Sequence, residues 1–175
     1  INAPTPVLRF LQKSLCYSDL FNELNQFISK ESFAYKKNIS CKDMALIHLK
    51  NDELLKLDIE NFFQSISIKD IKMSLQRLGV NSHTANIISE ISSYKNHLPQ
   101  GAPTSPFLSN IFFIPIDKRL RSLAKYFDLT YTRYADDLYF SGTSINNDII
   151  DSIKSILSEY NLLINRKKLS IKRKG

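Results

Sequence analysis

The sequence predicts an α+β chain, an antiparallel sheet with helices packed on one face. Three observations carry this. Apolar residues recur at helical spacing through most of the 175 residues. The period shortens to two in "ELLKLDIENFFQSIS", where Leu55, Leu57 and Ile59 fall on one side of a strand and Leu54, Lys56 and Asp58 on the other. "LTYTRYADDLYFSG" alternates around a tight acidic middle, as a hairpin does. The order strand, helix, hairpin, helix, strand is that of a layered α+β unit.

Taken in order, "PTPVLRFLQKSL" opens with Thr5 as helix cap and Pro6 at the first helical position, and Val7, Leu8, Leu11 and Leu15 follow at helical spacing. Phe21, Leu24, Phe27 and Ile28 continue the period until "SKESFAYKKNIS", which reads as a basic, aromatic-bearing loop or hairpin. "CKDMALIHL" looks helical again. After the acidic strand, Ile68, Ile71, Leu75 and Leu78 share a stripe that Gly79 ends, and "SHTANIISEISSY" forms a short helix. Thr104-Ser105-Pro106 repeats the cap-then-proline start of a long apolar helix, which Pro115 is expected to kink or break. The hairpin places Ala135 to Asp137 at or near its turn, with the acids at an exposed tip. Ile149, Ile153, Ile156 and Tyr160 then mark an amphipathic helix, "NLLIN" a short strand, and "NRKKLSIKRKG" a solvated, partly frayed basic terminus.

Hydrophobic residues make up 43% of the chain, enough for one compact unit or two small lobes. No repeat or Pro/Gly/Ser-rich linker marks a boundary between independent domains. No apolar stretch approaches the roughly 20 residues of a membrane span, and "INAPTPVLRF" lacks the layout of a secretion signal. Cys16 and Cys41 have neither metal-ligand spacing nor the number for a disulfide framework, so a reducing, cytoplasmic setting is expected and no membrane partner. A first residue Ile1 and the abrupt "SIKRKG" suggest a piece of a longer polypeptide. A net charge of +7 fits an anionic partner such as nucleic acid.

Asp58 ends one strand; Asp136 and Asp137 occupy the turn of a hairpin that can pair beside it. An Asp-Asp pair alone is ordinary turn chemistry. Three carboxylates converging from neighbouring strands, however, cost several kcal/mol in repulsion and desolvation unless cations neutralise them. Magnesium, with manganese as an alternative, prefers such oxygen ligands. Two ions about 4 Å apart activate a hydroxyl and stabilise a leaving oxygen in nucleotidyl transfer.

"LLKLDIENFFQSIS", "LPQGAPTSPFLSN", "RYADDLYFSG" and "NLLINRKKLSI" together resemble, in order and approximate spacing, the motifs of the reverse transcriptase family over nearly the whole chain. The resemblance implies a polymerase palm with a largely helical fingers subdomain and the thumb absent. Residues 1–50 would be fingers, 51–67 palm, 68–104 the fingers/palm connection, and 105–175 palm with the Tyr-Ala-Asp-Asp hairpin and lysine motif.

It further implies that Asp58, Asp136 and Asp137 bind two magnesium ions, with the Ile59 carbonyl as an additional ligand. Phe63 would be the aromatic gate that excludes a 2′-hydroxyl, its neighbour Phe62 being ordinary core. Gln100 and Gly101 would lie against incoming nucleotide and template, and Ala135 would leave room at the primer end. Tyr134 would pack under the primer or simply fill the sheet. Lys36 and Lys37 would grip the triphosphate, Lys36 standing where relatives often have arginine. Lys167 or Lys168, with Lys167 taken as the catalytic candidate, would protonate the leaving pyrophosphate; Lys172, Arg173 and Lys174 would fit primer or template backbone.

The implied partners are an RNA template, a DNA or RNA primer and deoxynucleoside triphosphates. The same motifs look most like the retron branch and its bacterial defence relatives, which would add a cognate non-coding RNA, an effector protein and a role in antiphage defence. "MALIH" keeps the alanine and histidine of a retron element but has Met44 in place of asparagine. That departure leaves open a non-retron defence enzyme. A template-independent or protein-primed abortive-infection polymerase and a group II intron-type enzyme are the other rivals within the enzyme class. A scaffold that binds nucleic acid without chemistry is the alternative from another class.

Overall fold

The computed structural model describes residues 3–36 and 39–174. The chain divides into two compact units, one of residues 1–28 and 61–114, the other of 29–60 and 115–175.

The first unit is helical. α1 (Pro6–Cys16) starts where Thr5 accepts from the Leu8 amide, and α2 (Asp19–Asn25) is a separate helix because Ser18 caps it anew. The period of α1 therefore does not simply continue through Phe21 and Leu24, although both are buried. α4 (Ile68–Arg77) begins with a reciprocal capping box between Ser67 and Asp70 and ends before Gly79, whose φ of +90° suits a residue without a side chain. α5 (Ser82–Ile91) is capped by Asn81. Each such cap contributes about 1 kcal/mol.

α6 (Ser105–Tyr126) contains Pro115 and is not broken there. The boundary between the compact units nevertheless falls at Ile114 and Pro115. In the first unit Phe21 stacks on Phe107 with ring centroids 4.2 Å apart, and Phe62 packs against Phe113 at 5.5 Å.

The second unit is built on an antiparallel four-stranded sheet in the order β2-β3-β1-β4, with β1 Glu53–Asp58, β2 Thr130–Tyr134, β3 Asp137–Gly142 and β4 Ser170–Arg173. Strand alternation decides which face is core. Leu55, Leu57, Leu138 and Phe140 have no exposure, and Tyr131 stacks on its cross-strand partner Phe140 at 4.8 Å. The opposite face carries Lys56, Asp58, Asp137 and Tyr139. At its far end His48 of α3 (Cys41–His48) reaches Ser141 and Thr132, at 2.5 and 2.7 Å. α7 (Asn147–Ser158) buries Ile149, Ile150, Ile153 and Leu157, so the stripe runs one step away from Ile156 and Tyr160.

Two expectations fail at the C-terminal end. "NLLIN" forms no strand; only an isolated bridge joins Ile164 to Ile59. The fourth strand lies later, in the basic run, where Ser170–Arg173 pairs with β1. Paired backbone, with Arg173 Nε donating to Glu53 Oε1 at 2.8 Å, orders a segment whose charge alone reads as solvated.

Candidate active site

The acidic residues meet because of strand register. Asp58 is the last residue of β1 and sits directly across from Asp137, the first of β3. One residue on, the Ile59 amide donates to the Asp136 carbonyl at 3.0 Å, and the Asn165 amide donates to the Asp58 carbonyl at 2.8 Å. Asp136 and Ala135 form the turn between β2 and β3, with Ala135 in the left-handed region at φ 56°. A small side chain tolerates that conformation better than a branched one. Arg133 pins the turn from beneath by donating to the Ala135 carbonyl at 3.1 Å.

The acids are less exposed than a hairpin tip suggests. The Asp58 side chain is 7% exposed and that of Asp137 23%, because β1 lies alongside β3 and Lys56 and Tyr139 cover the Asp137 side chain. Lysine ammoniums neutralise two of the carboxylates: Lys168 Nζ lies 2.8 Å from Asp58 Oδ2, and Lys56 Nζ 2.8 Å from Asp137 Oδ2. The Tyr139 hydroxyl donates to the same Asp137 oxygen at 3.2 Å. Asp137 Oδ1 is buried with no hydrogen-bond partner among the described residues.

Asp136 has its carboxyl pushed above the usual range, first by burial and then by the negative charges of Asp58 and Asp137, with Lys168 opposing. Hydrogen bonding to Asp58 raises Lys168, and hydrogen bonding to Asp137 raises Lys56. Among the described residues, no three His, Cys, Asp or Glu side chains stand grouped as a metal centre. The donor set still fits a hard divalent cation. It consists of carboxylate oxygens only, the charges of Asp58 and Asp137 bear on Asp136, and one buried oxygen lacks a partner among the described residues.

Of the paired lysine candidates, Lys168 is the one at the carboxylates. Lys167 instead borders a groove lined by Glu60, Lys154, Asn165 and Arg166, and its amide donates to Asn165 Oδ1 at 3.1 Å. Lys36 does not point into open solvent: its ammonium donates to the Ser29 carbonyl at 2.6 Å, and burial together with nearby Arg133 lowers its pKa. Lys37 lies outside the described residues. In the helical unit, Phe62 is buried while Phe63 is half-buried, edge-on to Phe62 at 5.2 Å. Gln100 and Gly101 sit in an exposed turn, Gly101 at φ 109°, and Ser105 holds that turn by donating to the Pro99 carbonyl at 2.7 Å.

Sequence reasoning missed three supporting residues. Arg133 and Asp117 form a fully buried ion pair joined by the Tyr131 hydroxyl, which donates to Asp117 Oδ1 at 2.7 Å. The available signal was position: Arg133 shares the strand face of Tyr131, which is core, so a charge there requires a buried partner. Lys56 carried the converse signal, alternating with Asp58 on the open face.

Solved structures share this fold. Apo telomerase from Candida tropicalis truncated from its C-terminal domain superposes with a TM-score of 0.61 at 14% identity, covering 96% of this chain and 39% of that one. Telomerase from Candida albicans in complex with a fragment of telomeric RNA gives 0.59 at 13% identity, covering 96% and 35%. The mixed helix-and-sheet fold with its four-stranded antiparallel sheet is thus one that these telomerases share.

The family model described as "Reverse transcriptase (RNA-dependent DNA polymerase)" matches residues 2–174, and the chain belongs to the reverse transcriptase family. Its curated relatives include retron Ec86 reverse transcriptase of Escherichia coli, 36% identical over 80% of this chain and 44% of that protein. Retron Mx162 reverse transcriptase of Myxococcus xanthus is 33% identical over 82% and 33%, and retron Mx65 reverse transcriptase of the same organism 29% identical over 100% and 45%. The chain spans between a third and a half of the length of these relatives.

Proposed function

We propose that this chain is the fingers and palm of a bacterial, retron-type RNA-directed DNA polymerase that extends a primer hydroxyl with deoxynucleotides on an RNA template. The observation that carries the reading is the pairing of Asp58 with Asp137 across adjacent strands, with Asp136 tied to Ile59 through the backbone. The retron assignment rests on the relatives from Escherichia coli and Myxococcus xanthus. By the same analogy the template is a cognate structured RNA, a 2′-hydroxyl can serve as primer, and the DNA product acts with an effector in antiphage defence in the cytoplasm.

Asp58, Asp136 and Asp137, with the Ile59 carbonyl, are the groups that would hold divalent magnesium or manganese. Such ions lower the pKa of the attacking hydroxyl and stabilise charge on the leaving pyrophosphate. The chain's own residues do the rest. Tyr139 and Lys56 fix the Asp137 carboxylate, and Arg133 fixes the turn that presents Asp136. Lys168, with its pKa raised by Asp58, holds a proton near the carboxylates that can be delivered to the leaving group. Phe63 restricts the sugar of the incoming nucleotide, and Gln100 and Gly101 bear on its base and on the template.

The test uses the complete protein. Replacing Asp136 and Asp137 together by Asn is expected to abolish deoxynucleotide incorporation on a primed RNA while leaving RNA binding intact. Incorporation at the wild-type rate would remove the assignment. Random-sequence DNA made without added RNA would favour a template-independent polymerase instead.

A further inference from the structure

Lys56 stands on β1, the strand paired with β3 on one side and with β4 on the other, directly across from Tyr139 and Ser170. Pairing on both sides fixes the backbone at its root, and strand alternation puts its side chain on the same open face as Asp58, two residues on. From there the ammonium crosses diagonally to Asp137, 2.8 Å from Oδ2, and lies 5.5 Å from the centre of the Tyr139 ring. The Tyr139 hydroxyl donates to the same oxygen at 3.2 Å.

The two oxygens of Asp137 are thereby made unlike. An ionised carboxylate has about four acceptor sites, two on each oxygen. Lys56 and Tyr139 together take both sites of Oδ2. Oδ1 is buried with no hydrogen-bond partner among the described residues, so it is the oxygen left for a cation. Asp58 is held in another way. Its ammonium comes from Lys168, which lies in the turn before β4 and whose side chain is 59% exposed, against 37% for Lys56. An ammonium at the solvent edge yields to a competing cation more readily than one held over a ring on the central strand.

The number of oxygens a carboxylate offers separates cations of equal charge. Calcium fills a large, flexible shell and often takes both oxygens of one carboxylate, whereas magnesium demands a small, near-octahedral shell that a two-oxygen grip distorts. A carboxylate with one oxygen withheld therefore serves magnesium and handicaps calcium.

We infer that Lys56 is a positioning residue that, with Tyr139, withholds Oδ2 of Asp137 and so makes the acidic site discriminate against calcium in favour of magnesium. The inference rests on the reading of Asp58, Asp136 and Asp137 as the cation site. It adds a cation preference set by a residue that touches no cation itself.

The test measures cation binding to the complete protein without nucleotide or nucleic acid, so that it is independent of turnover. Manganese is titrated and followed by loss of the paramagnetic resonance signal of the unbound ion, and magnesium and calcium are measured by displacing it. Lys56→Met keeps the apolar stem and removes the ammonium. It is expected to tighten all three ions, because a positive charge has left, and to move the calcium-to-magnesium affinity ratio about tenfold toward calcium. Tyr139→Phe, which changes no charge, should move the ratio in the same direction by a smaller factor without the general tightening. Thermal midpoints in chelator are taken alongside, and Tyr139→Phe carries the test if Lys56→Met does not fold.

A ratio unchanged in the folded variants would show that Oδ2 is not withheld, and would overturn the inference while the polymerase reading stands. Tightening of all three ions by one common factor in Lys56→Met overturns it too, since charge alone would then account for the change. Manganese binding by the wild type no stronger than by the protein with both Asp136→Asn and Asp137→Asn would remove the cation site, and with it both readings.

Discussion

Arg133 donates from Nε and Nη2 to the two oxygens of Asp117, at 2.9 and 2.8 Å, and neither side chain has any exposure. The same guanidinium holds the Ala135 carbonyl, so a pair that looks purely structural also sets the turn bearing Asp136. Arg133→Met is expected to leave the Asp117 charge buried and unpaired, at a loss of about 3–5 kcal/mol in urea denaturation. Arg133→Lys should not restore it, since an ammonium cannot make the planar two-point contact. A midpoint within error of wild type for either variant would remove this role.

The acidic site should behave in the opposite way. Burial and like charge hold the Asp136 carboxyl above its usual range, so its ionised form strains the fold. With divalent cations chelated, Asp136→Asn is expected to raise the thermal midpoint or leave it unchanged, while incorporation by the complete enzyme is lost. A clear drop in midpoint would show that the carboxylate stabilises the chain.

Phe62 is buried and Phe63 is half-buried, so of the two rings the second is the more accessible. Phe63→Ala should raise the ratio of ribonucleotide to deoxynucleotide incorporation by roughly tenfold or more, read from matched kcat/KM values. Phe62→Ala should instead destabilise the fold by about 3–5 kcal/mol. An unchanged ratio in Phe63→Ala would count against the gate.

His48 is buried against Ser141 and Thr132, and burial lowers its pKa from the ordinary value near 6.5. The unfolded chain therefore binds the proton more readily than the folded one. The stabilisation from this group is full above about pH 6.5 and falls as the pH drops below it toward the folded pKa, with a slope of at most about 1.4 kcal/mol per pH unit. Stability curves for wild type and His48→Gln, each normalised to pH 8, should diverge below pH 6.5; parallel curves would show that His48 does not titrate differently in the fold.

Gly142 ends β3 where a side chain has no room. A Cβ there would lie 2.5 Å from Leu129 Cδ2 and 3.2 Å from the Asp128 carbonyl oxygen. Leu129 could turn aside, but the backbone oxygen cannot easily do so. Gly142→Ala is expected to lose about 1–3 kcal/mol, measured by the same denaturation, and a neutral result would mean that the 128–129 segment yields.

The three acidic residues were legible in the sequence because Asp58 and Asp137 sit at strand ends marked by alternation, Asp136 sits in the turn beside them, and all three lie within specific motifs. Of the two caps read from the sequence, Thr5 accepts from the Leu8 amide, whereas Thr104 Oγ1 is buried with no hydrogen-bond partner among the described residues. What escaped were pairings that depend on tertiary register. "NLLIN" has the apolar pattern of a strand, yet Leu162 is buried and Leu163 is 64% exposed with only one bridge nearby, whereas the unpromising "SIKR" found a free edge of β1. Adjacent lysines look alike in one dimension, and only the turn after Asn165 brings Lys168 rather than Lys167 to Asp58. Arg133 was hidden because arginine normally signals surface, and its partner lies on a different element.

The position of β4 has a consequence for solubility. As the last strand in the order β2-β3-β1-β4, it presents an outer row of amides and carbonyls that another chain could extend. The strand is only four residues long, and Lys172 and Arg173 place positive charge on it. A second copy approaching that margin would bring like charges together, so the basic run acts as a guard against edge-to-edge aggregation.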